Sequence, residues 1–282
     1  MRHPLIESNN ISSAFIPNDV ESGKFSLNSE SAKSKIKVIT APNASGKTIY
    51  LKQVGLLVYM SMIGSYVAAD SAYVGDFDRI LTRINSSDSI EYKLSTFAVD
   101  LNQITECVID STEKSLVIID EFGKGTDPND AQALIAAVIK FWINQENSPQ
   151  VYLSTHFYEM FDFAERLFGQ NNKKIEYLTL EYLIEDEDES GNKSNVTLNA
   201  TDYGKQKLVF LYKIKKGKTN SSFALNIARK GGLSETLVER ACEIRKILKE
   251  NLHNDQNKDT SELNKKLFDT FSIPEHKEIL KE

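Results

Sequence analysis

The chain has 282 residues, of which 40% are hydrophobic, and a formal net charge of −6. This composition allows one large α/β core with a small helical appendage. The acidic balance argues against a stand-alone nucleic-acid binder, and the lack of an apolar stretch of about 18 residues argues against a membrane protein. The N-terminus lacks the apolar segment of a secretory signal, and Cys107 and Cys242 stand far apart, so we expect a soluble, intracellular protein with free thiols.

A phosphate-binding loop is predicted early in the chain. Residues 1–33 form a polar lead-in with early strands, and residues 35–40 form a strand that leads into Ala41, Pro42, Asn43, Ala44, Ser45, Gly46, Lys47 and Thr48. This run matches G-x-x-x-x-G-K-[ST], whose main-chain N–H groups surround phosphate oxygens, except that Ala41 replaces the first glycine. Lys47 would contact the β- and γ-phosphates, and Thr48 would bind Mg²⁺. The alanine costs about 1 kcal/mol if its φ is positive, and little otherwise.

A later strand ends in two carboxylates. Before it we predict a helix from Lys47 towards Gly64, a strand over residues 80–84 and a helix over residues 95–109. Residues 115–119 then form an apolar run that ends in Asp120 and Glu121, as buried parallel strands do when they deliver acids to a site. Asp120 would hold Mg²⁺, while Glu121, on the other side of the strand end, would orient and deprotonate water. The alternative for Glu121 is a surface salt bridge.

The next two elements extend the same pattern. Asp127 before Pro128 predicts a helix start. The buried stripe of that helix is expected to comprise Leu134, Ile135, Val138 and Trp142. Residues 151–155 predict a strand that ends at His156, which could contact a γ-phosphate. Because a lone histidine is more often a packed or surface residue, a role for His156 depends on the other motifs.

The C-terminal part of the chain is more polar. Residues 185–195 predict a mobile surface loop, and residues 207–214 predict a strand. The end of that strand carries the only dense basic patch, formed by Lys213, Lys215, Lys216 and Lys218. A solvated strand end explains such a patch, and we expect weak or no DNA binding by this chain.

Two helices are predicted around Gly231 and Gly232, with Ser234 as an N-cap. Leu233 and Val238 are placed as a hydrophobic staple. The second helix has an apolar face, either core or interface, made of Leu237, Val238, Ala241, Ile244 and Leu248. Residues 251–258 are polar and helix-poor, and residues 261–282 predict a short, loosely docked helix.

The order of these motifs resembles one family, the C-terminal ATPase domain of MutS-type proteins. The resemblance covers most of the chain and is carried by residues 2–7, 15–19, 42–48, 94–97, 120–126 and 155–157. It implies an α/β fold of the ABC-like P-loop NTPase type, with a mostly parallel sheet flanked by helices and a C-terminal helix-turn-helix. The implied domains are an ATPase domain over 1–218, a helix-turn-helix dimerisation element over 219–250, and a polar linker with a short helix over 251–282.

The resemblance also assigns roles to single residues. In the family two ATPase domains face each other, so Ser95 would act on the ATP of the partner subunit. Phe15 would stack on adenine, with Asn18 nearby. The second face of adenine is left to Tyr177, Tyr212 or a partner residue. ATP and Mg²⁺ are the implied ligands.

The branch of the family follows from two departures. Lys93 and Leu94 replace the Gly-Arg pair that precedes Ser-Thr-Phe in mismatch-repair members, and Lys124 stands in a Gly-Lys-Gly-Thr segment where those members have arginine. Both departures point away from repair enzymes. The segments 49–56, 94–97 with 100–103, and 120–126 resemble the branch that acts in meiotic crossover formation. The implied partner is another MutS-type subunit, the fourth eukaryotic MutS homologue, in the nucleus. DNA contact is expected through domains absent from this chain, an isolated module or truncated product.

The leading function is therefore an ATPase whose cycle opens and closes a dimer, and three other functions are weighed against it. The first is a nucleotide-gated dimerisation module with little hydrolysis, which Ala41 favours. The second is a mismatch-repair MutS ATPase. The third, a generic ABC-type or chromosome-cohesion ATPase, is disfavoured because neither a Leu-Ser-Gly-Gly signature nor long heptad arms are present.

Overall fold

The computed structural model describes residues 1–9, 15–23, 33–84, 96–161, 168, 172–187, 193–195, 206–219 and 222–256. The chain forms two compact units. The first comprises Met1–Thr197 with Lys207–Ala224, and the second comprises Leu198–Gln206 with Leu225–Glu282. The predicted domain bounds, which differ from these units, stay a prediction.

The first unit is built on a mixed, mostly parallel sheet. Its strands are β1 (Ile36–Ile39), β2 (Arg79–Arg83), β3 (Ser115–Asp120), β4 (Gln150–Ser154), β5 (Ile175–Glu187), β6 (Lys193–Asn195) and β7 (Gln206–Lys216). The order is β2-β3-β4-β1-β5-β6, and β7 also pairs with β5. All pairs from β2 to β5 are parallel, whereas β5 and β6 are antiparallel. The predicted central, mostly parallel sheet flanked by helices is confirmed.

Helices cover both faces of the sheet. They are α1 (Pro4–Asn9), α2 (Lys47–Met62), α3 (Thr96–Ile109) and α4 (Pro128–Asn144), with a 3-10 turn over Tyr158–Phe161. Alternate residues of β3 point to opposite faces, so that Leu116 and Ile118 pack with α2 while Val117 and Ile119 pack with α3 and α4. Every residue of β1 and β3 is buried, as expected for parallel strands that are covered on both faces. β1 includes Lys37, which pairs with Glu176.

The predicted α4 is confirmed, including its start. The carboxylate of Asp127 accepts a bond from the main-chain N–H of Asn129 at 2.8 Å. Ile135 and Trp142 are fully buried. Leu134 is 39% exposed, so its place in the buried stripe was predicted wrongly; it follows the helical period less closely than its neighbour Ile135.

Three predictions for polar segments are wrong. The acidic run is not a loop throughout, because β5 extends to Glu187 and pairs with β6; strand pairing satisfies the hydrogen bonds of the main chain there. The segment 251–256 is helical, not helix-poor. The lead-in contains α1 and, among its described residues, a bridge between Gly23 and Lys33 rather than early strands.

The second unit contains α5 (Ala224–Lys230) and α6 (Glu235–Gln256). Gly232 has a φ of 90° in the turn between them, and Arg229 forms an ion pair with Glu235 at 2.5 Å. On α6, Val238 is buried, whereas Leu237 is 56% exposed. The predicted apolar face of this helix is therefore only partly covered. Among the described helices, none combines the length and the hydropathy that a membrane-spanning segment requires.

Candidate functional site

Three neighbouring strands end at the same edge of the sheet. β3, β4 and β1 are adjacent and parallel, so the residues that follow their carboxyl ends come together, as they do at ligand sites of open α/β sheets. The loop after β1 is residues 41–48, called loop 41–48 below. Asp120 ends β3, and His156 follows β4.

Loop 41–48 presents a free helix N-terminus. Gly46 is the N-cap of α2 with a φ of 102°, and no side chain caps the first turn. The main-chain N–H groups there are thus available to an anion, which the helix dipole also favours. The Oγ of Ser45 is buried and has no hydrogen-bond partner among the described residues. A phosphate oxygen would supply the partner that this hydroxyl lacks.

Ala41 fits the loop without strain. The described non-glycine residues with a positive φ are Ala44, Glu121, Tyr212 and Phe223, so Ala41 has an ordinary negative φ. Its side chain is fully buried. The position does not require glycine, so the alanine at this position costs little, as expected for a negative φ.

Lys47 lies across the loop. Its Nζ donates to the main-chain oxygen of Ala41 at 2.8 Å and lies 3.2 Å from Oε1 of Glu121. Burial lowers the pKa of Lys47, and the carboxylates of Glu121 and Asp120 act in the opposite direction. An anion bound at this lysine would offset the unfavourable burial of its charge.

Thr48, Asp120 and Ser154 form a cluster of oxygen atoms. Oγ1 of Thr48 donates to Oδ2 of Asp120 at 2.6 Å, and Oγ of Ser154 donates to Oδ1 of the same carboxylate. Hydroxyl and carboxylate oxygens are ligands that Mg²⁺ prefers. Among the described residues, no group of three or more His, Cys, Asp or Glu could hold a metal. Mg²⁺ at Thr48 and Asp120 would therefore share its shell with phosphate and water oxygens.

Glu121 lies just beyond β3 with a φ of 51°. Its carboxylate bridges two lysines, with Oε1 near Lys47 and Oε2 at 2.6 Å from Nζ of Lys124. Burial alone would raise the pKa of Glu121, but hydrogen bonds and charges from Lys124 and Lys47 outweigh it, so this pKa lies below its usual value. The group is ionised at neutral pH, as a proton acceptor must be.

His156 lies within electrostatic range of the same charges. Burial lowers its pKa, and the charges of Lys124 and Lys47 lower it further, against the opposite effect of Glu121. The ring packs beside Phe157, with 4.4 Å between ring centroids. His156 is therefore a neutral imidazole at physiological pH, able to donate one hydrogen bond and accept another.

Asn18 fastens the N-terminal segment to β7. Its Nδ2 donates to the main-chain oxygen of Tyr212 at 2.8 Å, and its Oδ1 accepts from the N–H of Ile214 at 2.7 Å. A Cβ at Gly46 would lie 3.5 Å from Cδ1 of Tyr212, a residue that is 45% exposed. The segment that carries Phe15 is thus joined to a strand whose exposed tyrosine adjoins loop 41–48.

A comparison with protein families agrees with this geometry. The sequence model of MutS domain V matches residues 37–249, which is most of the chain. The chain belongs to the MutS family. Domain V is the ATPase domain of MutS proteins, so nucleotide binding and ATPase activity are the general properties of this region.

Individual MutS relatives support the same assignment. The chain is 36% identical to MutS protein homolog 5 of Saccharomyces cerevisiae over 88% of its length and 27% of the relative. It is 34% identical to MutS protein homolog 5 of Caenorhabditis elegans over 85% of its length and 16% of the relative. DNA mismatch repair protein MSH3 of Candida glabrata is 34% identical over 86% of this chain and 21% of that protein. The chain therefore spans about a quarter or less of these relatives.

The MutS domain V match does not cover all predicted site residues equally. Lys47, Thr48, Asp120, Glu121 and His156 lie within the matched residues, and the structure brings them together. The remaining loop positions Pro42, Asn43, Ala44, Ser45 and Gly46 also lie there, whereas Phe15 and Asn18 precede the match. Ser95 lies outside the described residues.

Sequence reasoning missed four side chains that form hydrogen bonds or ion pairs with residues of this MutS site. They are Ser154, which bonds to Asp120; Lys124, which pairs with Glu121; Tyr158, whose hydroxyl donates to the main-chain oxygen of Ala41; and Arg83. Ser154 could have been found, because it occupies the position of β4 that pairs with Asp120 on the neighbouring strand. The other three have no sequence pattern that separates them from surface or core residues.

Proposed function

We propose that this chain is the Mg²⁺-dependent ATPase module of a MutS-type protein, and that ATP binding and hydrolysis control closure of a dimer on DNA. The observation that carries the proposal is the convergence of Lys47, Thr48, Asp120 and Glu121 at one edge of the sheet. The P-loop NTPase fold of the ABC-like type is part of the same proposal. Each side chain has a role that its surroundings support.

The phosphates would be held by loop 41–48. The uncapped N–H groups of α2 and the Oγ of Ser45 would bind phosphate oxygens, and Lys47 would exchange its bond to Ala41 for the β- and γ-phosphates. Thr48 and Asp120 would hold Mg²⁺, which when bound neutralises phosphate charge during transfer. Ala44 and Gly46 shape the turn through their positive φ angles.

Hydrolysis would use the carboxylate and imidazole beside the loop. Glu121 is ionised and would accept a proton from the attacking water. His156 is neutral and would donate a hydrogen bond to the γ-phosphate. Because Lys47 already contacts Glu121, a bound γ-phosphate that attracts Lys47 would release one oxygen of this base.

The adenine would lie between Phe15 and Tyr212. Tyr212 is exposed beside Gly46, whereas the alternative, Tyr177, packs against the main core cluster with Nζ of Lys218 at 4.1 Å from its ring centroid. Asn18 would position this pocket rather than contact the base, since the main chain of β7 engages both polar atoms of its amide.

The dimer would form with another MutS-type subunit, for which we propose the fourth eukaryotic MutS homologue. Ser95 would act on the nucleotide of that subunit. On α6, Leu237 and Ile244 are 56% and 45% exposed, which favours an interface over a core for this apolar face. The resemblance to two MutS homolog 5 proteins supports meiotic crossover formation in the nucleus, with DNA bound by domains outside this chain.

Two measurements test the ATPase proposal. Calorimetry with Mg²⁺ and ATP should show binding, and phosphate release should fall at least 100-fold in Glu121→Gln while binding persists. Glu113→Gln serves as the matched control, because Glu113 is exposed before β3 and should leave turnover unchanged. Turnover that survives in Glu121→Gln would exclude this residue as the base, and no binding at millimolar nucleotide would refute the function.

A second candidate is a nucleotide-gated dimerisation module with little hydrolysis. The pairing of Glu121 with both Lys47 and Lys124 favours it, because both oxygens of the proposed base are engaged. Sedimentation with ATP and Mg²⁺, combined with a phosphate-release assay, separates the two functions. Dimerisation without phosphate release would favour the nucleotide-gated dimerisation module. Ala41 gives this candidate no support, since its φ is not positive.

A mismatch-repair MutS ATPase is the third candidate. The identity of 34% to MSH3 equals that to the homolog 5 of C. elegans, and bacterial MutS of Caldicellulosiruptor bescii reaches 32%. An ATPase assay of the full-length protein with different DNA substrates distinguishes these branches. Stimulation of its ATPase by branched DNA supports the meiotic assignment, whereas stimulation by mismatched duplexes supports repair.

A further inference from the structure

Arg83 is a buried charged residue for which the proposed ATPase chemistry has no task. It is the last residue of β2, and 1% of its surface is exposed. Its Nε donates to Oδ1 of Asp100 at 3.0 Å, its Nη2 donates to the other oxygen of that carboxylate, and its Nη1 donates to the main-chain oxygen of Asp120. A buried ion pair is unfavourable unless it is well satisfied, and here both edges of the guanidinium are bonded.

These bonds join the metal-binding end of β3 to the start of α3. Asp120 is the last residue of β3 and offers its carboxylate to Thr48, while its carbonyl faces Arg83. Asp100 is the fifth residue of α3. One planar group therefore contacts a residue of the nucleotide site on one side and the first turns of a separate helix on the other.

The choice of arginine matters for this link. Its guanidinium is rigid and always charged, and its donors point along fixed directions, so a displacement on one side is passed to the other. A lysine offers a single nitrogen on a flexible stem and cannot hold both Asp100 and the carbonyl of Asp120 in this geometry. If the only requirement were to fill this space in the core, an apolar side chain of similar volume would satisfy it.

We infer that Arg83 is a positioning residue that couples occupancy of the nucleotide site to the orientation of the start of α3. The inference rests on the proposed function. Nucleotide binding requires Thr48 and Asp120, now bonded to each other, to accommodate a new ligand, and the resulting shift of Asp120 reaches Asp100 through the guanidinium. Because α3 directly follows Ser95 in the sequence, the helix that begins after this proposed partner-facing residue would respond to the local nucleotide.

Hydrogen exchange measured by mass spectrometry tests the coupling in the whole chain. Exchange of a peptide covering residues 97–104 is measured with and without Mg²⁺ and a non-hydrolysable ATP analogue. In the wild type we expect nucleotide to change exchange there by about fivefold, at the low end of typical coupling between sites. Arg83→Lys should abolish this change while nucleotide affinity stays within about threefold.

Arg79→Lys is the matched control. Arg79 begins the same strand, and its Nε lies 3.8 Å from Asp78 at the surface, so this variant should retain the wild-type response. If Arg83→Lys does not fold, Asp100→Asn removes the charge of the other partner and should abolish the response equally. A purely structural role would raise exchange with and without nucleotide and leave the nucleotide-dependent difference in place.

The possible outcomes separate the two proposals. If the wild type binds nucleotide but exchange over residues 97–104 does not change, or if Arg83→Lys responds as the wild type does, the coupling is refuted and the ATPase proposal stands. If calorimetry shows no nucleotide binding to the wild type, the proposed function itself fails. A response that is lost in Arg83→Lys and retained in Arg79→Lys supports the coupling.

Discussion

Gly123 should be the glycine of the site that tolerates substitution least. It lies two residues after Glu121 with a φ of 89°, and a Cβ there would be 2.4 Å from the Cβ of Ala131. Carbon atoms in good contact are about 3.5–4.0 Å apart, so the turn or α4 must move by about 1 Å. Ala131 is fully buried in the first turn of α4, which leaves it little room to move.

The free energy of unfolding should fall by two separate amounts in Gly123→Ala. A positive φ costs an alanine about 1 kcal/mol, and overpacking of a close contact adds about 1–3 kcal/mol. We expect a total loss of about 2–4 kcal/mol, measured by urea unfolding monitored by circular dichroism. Phosphate release should fall as well, because the same turn holds Glu121.

Gly64→Ala isolates the backbone contribution. Gly64 has a φ of 72°, and no heavy atom lies within 4 Å of the place its Cβ would take. This variant should lose only about 1 kcal/mol. Equal losses in the two variants would refute the contact argument, because strain from the positive φ alone would then explain both.

Three further outcomes can be measured independently. Asp127→Ala should lower the free energy of unfolding by about 1 kcal/mol in urea titrations, because it removes the cap of α4. Thr48→Val should weaken binding of Mg²⁺-ADP in calorimetry while leaving metal-free ADP binding unchanged, since the hydroxyl faces Asp120 in the proposed metal shell. For His156, whose pKa is lowered from 6.5 by burial, the unfolded chain binds the proton more readily. Its contribution to stability is therefore present above pH 6.5 and lost as pH falls, so His156→Gln should show a shallower decline between about pH 7 and 5 in thermal unfolding.

The sequence predicted the strands and the turn that form the site because local sequence patterns determine them. The strands over 36–39, 115–120 and 150–154 are short, mostly apolar segments followed by polar residues. This pattern predicts strands that are buried on both faces and that deliver polar side chains at one end. Gly46 and the apolar residues after Lys47 similarly indicate a turn and a helix start. These features depend on neighbouring residues only, so no tertiary information was needed.

The contacts that tune the site depend on distant residues. Arg83 is 37 residues from Asp120 and 17 from Asp100, and no periodicity marks an arginine at a strand end as buried. Asn18 illustrates the converse: its position was predicted near the nucleotide, but its bonds to a strand 194 residues away could not be derived from its type.

The predictions from charge and polarity were wrong where strand pairing or continuation of a helix determined the backbone conformation. A run of acidic residues does not favour burial, yet Glu185 and Glu187 lie on β5 and pair with β6. Polar residues after position 250 likewise continue α6 to Gln256. Composition therefore does not determine the backbone conformation of these segments.

The attachment of Asn18 to β7 divides nucleotide recognition between two parts of the chain. In the proposed arrangement, every group that binds the triphosphate lies C-terminal to the start of β1. Phe15 reaches the purine because the hydrogen bonds of Asn18 to β7 hold its segment beside Tyr212. A shortened version that starts at β1 would still hold triphosphates. It would lose the stacking of Phe15 on the purine and should therefore bind ATP more weakly.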